Sequence, residues 1–225
     1  MSDDLSQAFT TIVNQRRSLR GFLPRELDQS MLEDIFACAQ RAPSNCNTQP
    51  WSVHVVSGAK LEYLRQEMPS QFMAGKMSMD FPYDGVYDGV YKQRQYGAAA
   101  ALYDAAGIAR EDKAARHEQF MRNFTFFGAP HAAFLFLPEP FGLREAADLG
   151  MYAQTLMLAL TAHGLGSCPQ TALSFQVELV RETLALDASH KLLFGISFGY
   201  PDPDEPANTC ITDRAPLSDT VTFHR

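Results

Sequence analysis

Residues 132–137, Ala-Ala-Phe-Leu-Phe-Leu, are apolar without alternation, and Pro138 and Pro140 stop the run. A strand wet on one face alternates polar with apolar side chains, so this run reads as a central strand, His131 to Leu137, covered on both faces. Leu192 to Tyr200, Leu-Leu-Phe-Gly-Ile-Ser-Phe-Gly-Tyr, reads as a second central strand. Around them lie helical patterns. Leu5, Ala8, Phe9, Ile12 and Val13 recur at helical spacing and predict an amphipathic helix that ends at a cluster of arginines. Pro24 and Asp28 open a second helix with Met31, Leu32, Ile35, Phe36 and Ala39 on its buried side. Trp51 to Ser57 alternates and predicts another strand, closed by Ser57-Gly58, and a short helix is expected over 58–67. Leu143 to His163 is a long helix, apolar nearly all round and stopped by Gly164 and Gly166. Such a helix must be buried on every side, and a dimer interface is a reasonable place for it.

A chain of 225 residues, 46% of them hydrophobic, has room for one domain or one and a half and for a real core. The net charge of −7 argues against a nucleic-acid or anionic-membrane partner. The opening MSDDLSQAFTTI is acidic and has no apolar stretch, so no secretory leader is expected. Cys38, Cys46, Cys168 and Cys210 form no CxxC pair, which fits reduced thiols in a cytoplasm better than a disulfide framework or a zinc site. Leu149 to Leu165 is interrupted by Gly150, Gln154, Thr155, Thr161, His163 and Gly164 and is not a membrane span.

Two stretches carry chemistry. Arg16, Arg17, Ser18 and Arg20 leave the first helix together. Arginine's planar fork binds phosphate bidentately, so they suit an anion; equally, cations are welcome at a helix C-terminus. The stretch Arg41 to Trp51 sets Ser44, Asn45, Asn47, Thr48 and Gln49 between two prolines and before the only tryptophan. Each proline biases its predecessor, Ala42 or Gln49, toward extended geometry. The result is either a fixed edge for a planar, heteroatom-rich ligand or an Asx-turn loop whose amides serve its own backbone.

The two motifs together, RRSLRGF and APSNCNTQPW about twenty residues apart, resemble the FMN-dependent nitroreductase family. The resemblance runs from about Phe9 to Phe223. It implies an α+β fold of three layers, with a mainly antiparallel central sheet surrounded by helices in an intertwined homodimer. It implies one such domain over 1–225. It places Arg16, Arg17 and Ser18 near the phosphate and ribityl end of FMN, Arg20 near the N1/C2 edge, and Arg214 at the phosphate. Thr212 stands where many relatives carry a second basic residue just ahead of this arginine, and Asp213 must point away from a phosphate or weaken the site. Pro43, Ser44, Asn45 and Asn47 come from the other subunit. Pro169, Gln170 and Thr171 lie in the segment whose backbone N–H groups face the flavin, and likeness to a subgroup with a long insert puts Asn123 at the flavin edge.

Residues 68–123 are expected to form a lid or excursion. Its first thirty residues are rich in Met and Tyr and punctuated by glycine, which suits either an adaptable apolar wall or an ordinary surface loop. Helical spacing returns over Tyr96 to Gly107 and Glu111 to Phe127. The implied activity is reduction of nitroaromatic or similar electron-poor substrates, such as quinones and enones, by NAD(P)H through ping-pong hydride transfer. Protein nucleophile and metal are both unneeded, and NAD(P)H visits as a substrate because no GxGxxG strand-turn-helix is present. Dehalogenation, ene reduction or flavin fragmentation on the same scaffold, and non-catalytic FMN storage, remain alternatives.

Overall fold

A computed structural model describes residues 2–225. Four antiparallel strands, β1 (Ser52–Ser57), β2 (His131–Pro138), β3 (Gly166–Gln170) and β4 (His190–Gly199), lie in the order β1-β2-β4-β3. The two unalternating runs are therefore the inner strands, and residues 131–137 are all buried. Helices α1 (Ser2–Gln15), α2 (Gln29–Ala39), α3 (Gly58–Met73), α4 (Gly89–Ala105), α5 (Lys113–Met121), α6 (Leu143–Ala162) and α7 (Val177–Leu184) surround the sheet.

Strand pleating sorts the core into two layers. Ala132, Phe134 and Phe136 pack with Leu61, Leu64 and Met68 of α3, Phe124, Phe126 and Val180. Ala133, Leu135 and Leu137 pack with Ile35 and Ala39 of α2 and with Leu149, Tyr152, Leu156 and Leu160 of α6. The result is the α+β, three-layer, antiparallel-sheet architecture. At the start of β2, His131 Nε2 accepts the Leu27 N–H at 2.9 Å while Nδ1 meets Ser57 Oγ, so the chain leading into α2 is tied to the sheet. Burial holds this imidazole below its ordinary pKa, against a weaker upward pull from Glu26.

Several elements differ from their sequence patterns. The helix expected over 58–67 continues through Pro69 to Met73, because Met68 is wholly buried one turn beyond Leu64 and packing overrides the roughly 3 kcal/mol that an interior proline costs. Helix α4 starts at Gly89, earlier than the expected Tyr96, and has no buried residue to give it a periodic signature. The helix expected over 111–127 stops at Met121. Phe126 and Phe127 take left-handed φ of 57° and 53° beyond it, so that Phe124, Phe126 and Phe127 all enter the core, which one helical face does not allow. Strand β3 and helix α7, whose Val177 and Val180 are buried, carry no pattern that marks them in the sequence. Gln49, expected to be extended before Pro50, has φ 49°.

The single chain leaves apolar surface open. Leu5 and Phe9 on α1 are 71% and 61% exposed, Leu217 and Phe223 in the tail 63% and 74%. The face of α6 away from the sheet is also uncovered at Met151.

Candidate functional site

After α1 the chain runs extended along the sheet edge. Leu19 N–H donates to Ser167 O at 3.0 Å, Ser18 bridges Ser167 of β3, and Leu23 N–H donates to Tyr200 O at 2.9 Å. Leu19 and Phe22 turn into the core, while Ser18 and Arg20 turn toward a cavity. Gly166 permits this seat, since a Cβ there would lie 2.5 Å from Leu19 Cδ1.

That cavity, of about 530 Å³, is lined by Arg16, Arg17, Ser18, Arg20 and Arg214, with Gln154 of α6 and Thr212 beside them. Among the described residues no carboxylate forms an ion pair with any of these four arginines. Partial burial, and then the facing charge of Arg214, hold Arg16 below its ordinary pKa. Arg214 donates to Thr212 O and Oγ1 and to Asp213 O, and Asp213 itself lines a neighbouring cavity of about 680 Å³ between α4 and the tail. Asp213 does not line the arginine cavity, although Thr212 and Arg214 line both. Facing cations without a counterion are costly alone and complementary to a polyanion. The donor set fits a phosphate.

Asn123 and Gln170 form a second group. Gln170 Nε2 donates to the main-chain oxygen of Asn123 at 3.0 Å and to its Oδ1 at 3.2 Å, while Gln170 Oε1 accepts from Ser197 Oγ. The Gln170 side chain is consumed internally, whereas Pro169 and Thr171 are exposed on either side. Strand β3 joins this group to the cradle. Its Cys168 thiol is pushed up to about 11 by burial, opposed by the nearby Arg20 charge.

Pro43, Ser44, Asn45 and Asn47 are not brought to the arginine cavity within one chain. Their loop folds on itself and onto α6. Asn47 N–H donates to Ser44 O, Thr48 N–H to Asn45 O, and Gln49 N–H to Ser44 Oγ at 2.9 Å. Cys46, Asn47 and Gln49 are all left-handed. Buried Asp148 of α6 accepts the Asn45 N–H at 3.0 Å, and one turn on Tyr152 packs under Trp51 with ring centroids 5.0 Å apart. Ser44 serves its own backbone, as in an Asx-turn loop, while Asn45 and Asn47 remain exposed.

Sequence reasoning missed the supports. Asn208 Oδ1 accepts the Arg20 N–H at 2.6 Å, and Arg122 Nη2 donates to Arg20 O at 2.8 Å and pairs with Glu205 at 2.6 Å. Asp148, a carboxylate on the buried face of an apolar helix, was the one support with a readable signal.

Residues 13–200 match the model of the Nitroreductase family. The chain belongs to the nitroreductase family. It is 43% identical over 223 residues to nitroreductase NfnB of Mycolicibacterium smegmatis, a match covering 99% of this chain and 95% of the relative. With 4-nitrobenzoate reductase of a Nocardioides species the identity is 32% over 222 residues, covering 96% and 90%. The crystal structure of FMN-dependent NfnB from Mycobacterium smegmatis in complex with NADPH superposes with a TM-score of 0.94 at 43% identity, over 98% of this family member and all of that chain.

Proposed function

We propose that this nitroreductase binds FMN as a homodimer and reduces nitroaromatic compounds with NAD(P)H in a cytoplasmic setting. The observation that carries the reading is the cradle: four arginines and a serine around one cavity, with no carboxylate pairing to them among the described residues. Arg16, Arg17, Ser18 and Arg214 hold the phosphate end. Arg20, which lines the same cavity, would hold the ring edge that gains negative charge on reduction and would stabilise that charge. FMN held there would supply the redox chemistry between NAD(P)H and the second substrate. NADPH as donor and nitroarenes as acceptors are supported by what the relatives bind and reduce.

The remaining contacts belong to two chains. Pro43, Ser44, Asn45 and Asn47 approach the FMN of the partner, and Asn123, Pro169, Gln170 and Thr171 face the ring from the same chain as the cradle. Open apolar side chains on α1, α6 and the tail, Phe9, Met151 and Phe223 among them, favour a second copy as cover. Among the described residues no helix is long and apolar enough to cross a membrane.

Within residues 68–123, the stretch beyond α3 acts as the lid of this single domain, Met68 itself belonging to the core. Its front is pinned: Asp80 pairs with buried Arg181 of α7 at 2.7 Å and accepts the Leu192 N–H at 2.8 Å. Beyond the pin, the Tyr83 and Phe175 ring centroids lie 6.5 Å apart and Tyr87 is partly exposed, which gives the lid aromatic surface for a flat substrate.

The test is direct. Protein loaded with FMN is expected to be yellow, to sediment as a dimer, to bleach anaerobically with NAD(P)H and to recover colour with 4-nitrobenzoate in ping-pong fashion. Stable colour that ignores NAD(P)H favours storage, and a monomer that binds FMN tightly refutes the shared site.

A further inference from the structure

The cavity explains what the arginine side chains face. It does not explain why the main chain beneath Arg20 is so heavily held. Both polar groups of that residue's backbone are engaged by side chains from remote parts of the sequence: Asn208 Oδ1 takes the N–H at 2.6 Å, and Arg122 Nη2 reaches the carbonyl at 2.8 Å. Asn208 also donates through Nδ2 to Gly21 O at 2.9 Å and to Asp202 O at 3.0 Å, so both amide hydrogens and the oxygen of this buried side chain are used. Its orientation is unambiguous, because the Arg20 N–H only donates and the two carbonyls only accept.

Arg122 is held in turn. Its Nη2 pairs with Glu205 Oε2 at 2.6 Å and its Nη1 donates to Gln119 Oε1 at 3.1 Å. Glu205 Oε1 accepts the Ala207 N–H at 3.1 Å at the start of the 3₁₀ turn Pro206–Thr209 that carries Asn208, so the two grips share one turn. Gly21 completes the arrangement. A Cβ at this position would fall 2.2 Å from Glu205 Cγ, so any other residue displaces the carboxylate that holds Arg122.

We propose that Asn208 and the Arg122–Glu205 pair are positioning residues that fix the direction in which the Arg20 side chain leaves the main chain toward the cavity. An arginine has many rotamers, and its own side chain makes one long contact, Nη1 to Ser18 O at 3.3 Å. Locking the peptide on both sides of its Cα removes backbone freedom that side-chain contacts do not remove. A donor held in place before the ligand arrives binds it with less ordering cost. The inference rests on the reading that Arg20 contacts FMN.

A double-mutant cycle read by FMN fluorescence titration tests it, using wild type, Arg20→Ala, Asn208→Leu and the double variant. Arg20→Ala is expected to raise the FMN dissociation constant by about tenfold or more. Asn208→Leu is expected to raise it about tenfold in the wild-type background and by less than about twofold in the Arg20→Ala background, since a residue acting through another has no effect once that other is gone. The same factor in both backgrounds overturns the inference and leaves the role of Arg20 standing. An Arg20→Ala protein with unchanged FMN affinity overturns the reading beneath it and the inference together. Should Asn208→Leu not fold, Arg122→Lys replaces it. This variant keeps a charge for Glu205 but loses the fork that reaches Arg20 O, and its effect must likewise vanish in the Arg20→Ala background.

Discussion

The arginine cradle and the Pro43 loop are built in opposite ways. The loop is local: its defining hydrogen bonds join residues within Ser44 to Gln49, and one distant carboxylate, Asp148, tethers it to α6. The cradle is assembled from positions 16–20 and 214 and braced from 122, 205 and 208. Local construction lets the loop keep its shape while it points away from its own chain. Non-local construction makes the cradle an outcome of the finished fold, and there unpaired like charges are held together at the expense of stability.

The largest effect that would break this contrast lies at the cradle. Arg214→Ala is expected to weaken FMN binding by about 10–100-fold, the worth of a charge-assisted hydrogen bond of about 1.5–3 kcal/mol. Without FMN the same variant should unfold at a urea concentration no lower than wild type, because Arg214 acts unfavourably on Arg16. Fluorescence titration and urea denaturation read the two quantities. Parallel losses of affinity and of apo stability would show the cradle to be an ordinary structural cluster.

At the loop the two quantities should instead move together. Asp148→Ala removes the acceptor for the Asn45 N–H from a buried site and is expected to cost about 1–2 kcal/mol in urea denaturation, with FMN affinity falling alongside it. Asp148→Asn keeps an oxygen there and should recover most of the loss. An Asp148→Ala protein with full stability would mean that the loop holds its shape without α6.

Acid separates the regions in a third way. Burial pushes the Glu205 carboxyl up, but its hydrogen bonds to Arg122 and the Ala207 N–H, with the Arg122 charge, outweigh that and leave its pKa below the ordinary carboxylate value. A carboxylate depressed in the fold stabilises fully above its unfolded pKa, near 4.5, and loses that contribution as pH falls through the lowered folded value. Stability of the wild type should therefore fall more steeply than that of Glu205→Gln below about pH 4.5. Urea midpoints taken from pH 6 to pH 3 check this, and superimposable slopes would remove Glu205 from the brace.

How much was legible follows the same division. The inner strands announced themselves because burial on both faces leaves no alternation at Ala132–Leu137. Helix α4 was misplaced because a helix with no buried residue carries no stripe, and the 122–128 turn because left-handed Phe126 and Phe127 obey the core and not local propensity. Arg16, Arg17, Arg20 and Arg214 were legible as a group only through a resemblance, since nothing in their spacing brings position 214 to position 16. Asn208 was illegible: an asparagine after Pro206 reads as a surface turn, and only the fold sets its side chain against the Arg20 peptide. The loop shows the converse, with its composition plain and its backbone signs not.

The smallest expected effect sharpens the comparison most finely. Ser44→Ala removes the hydroxyl that accepts the Gln49 N–H, the contact that closes the turn and carries Gln49 into left-handed φ ahead of Pro50. Gln49 is exposed, so water replaces the lost acceptor and the stability cost should be only about 0.5 kcal/mol. With its closure gone, however, Gln49 is free to return to the extended geometry that a following proline favours, and the exposed Asn45 and Asn47 side chains shift with it. A loop that serves a neighbouring chain's ligand should then lose FMN affinity by more than its loss of stability accounts for. In mixed dimers, one subunit carrying Ser44→Ala and the other Arg214→Ala, one of the two sites should receive both defects and the other neither. A titration that resolves one wild-type-like site and one site weaker than that of Arg214→Ala alone would meet that expectation; one site weakened as by Ser44→Ala alone and the other as by Arg214→Ala alone would place loop and cradle in the same chain.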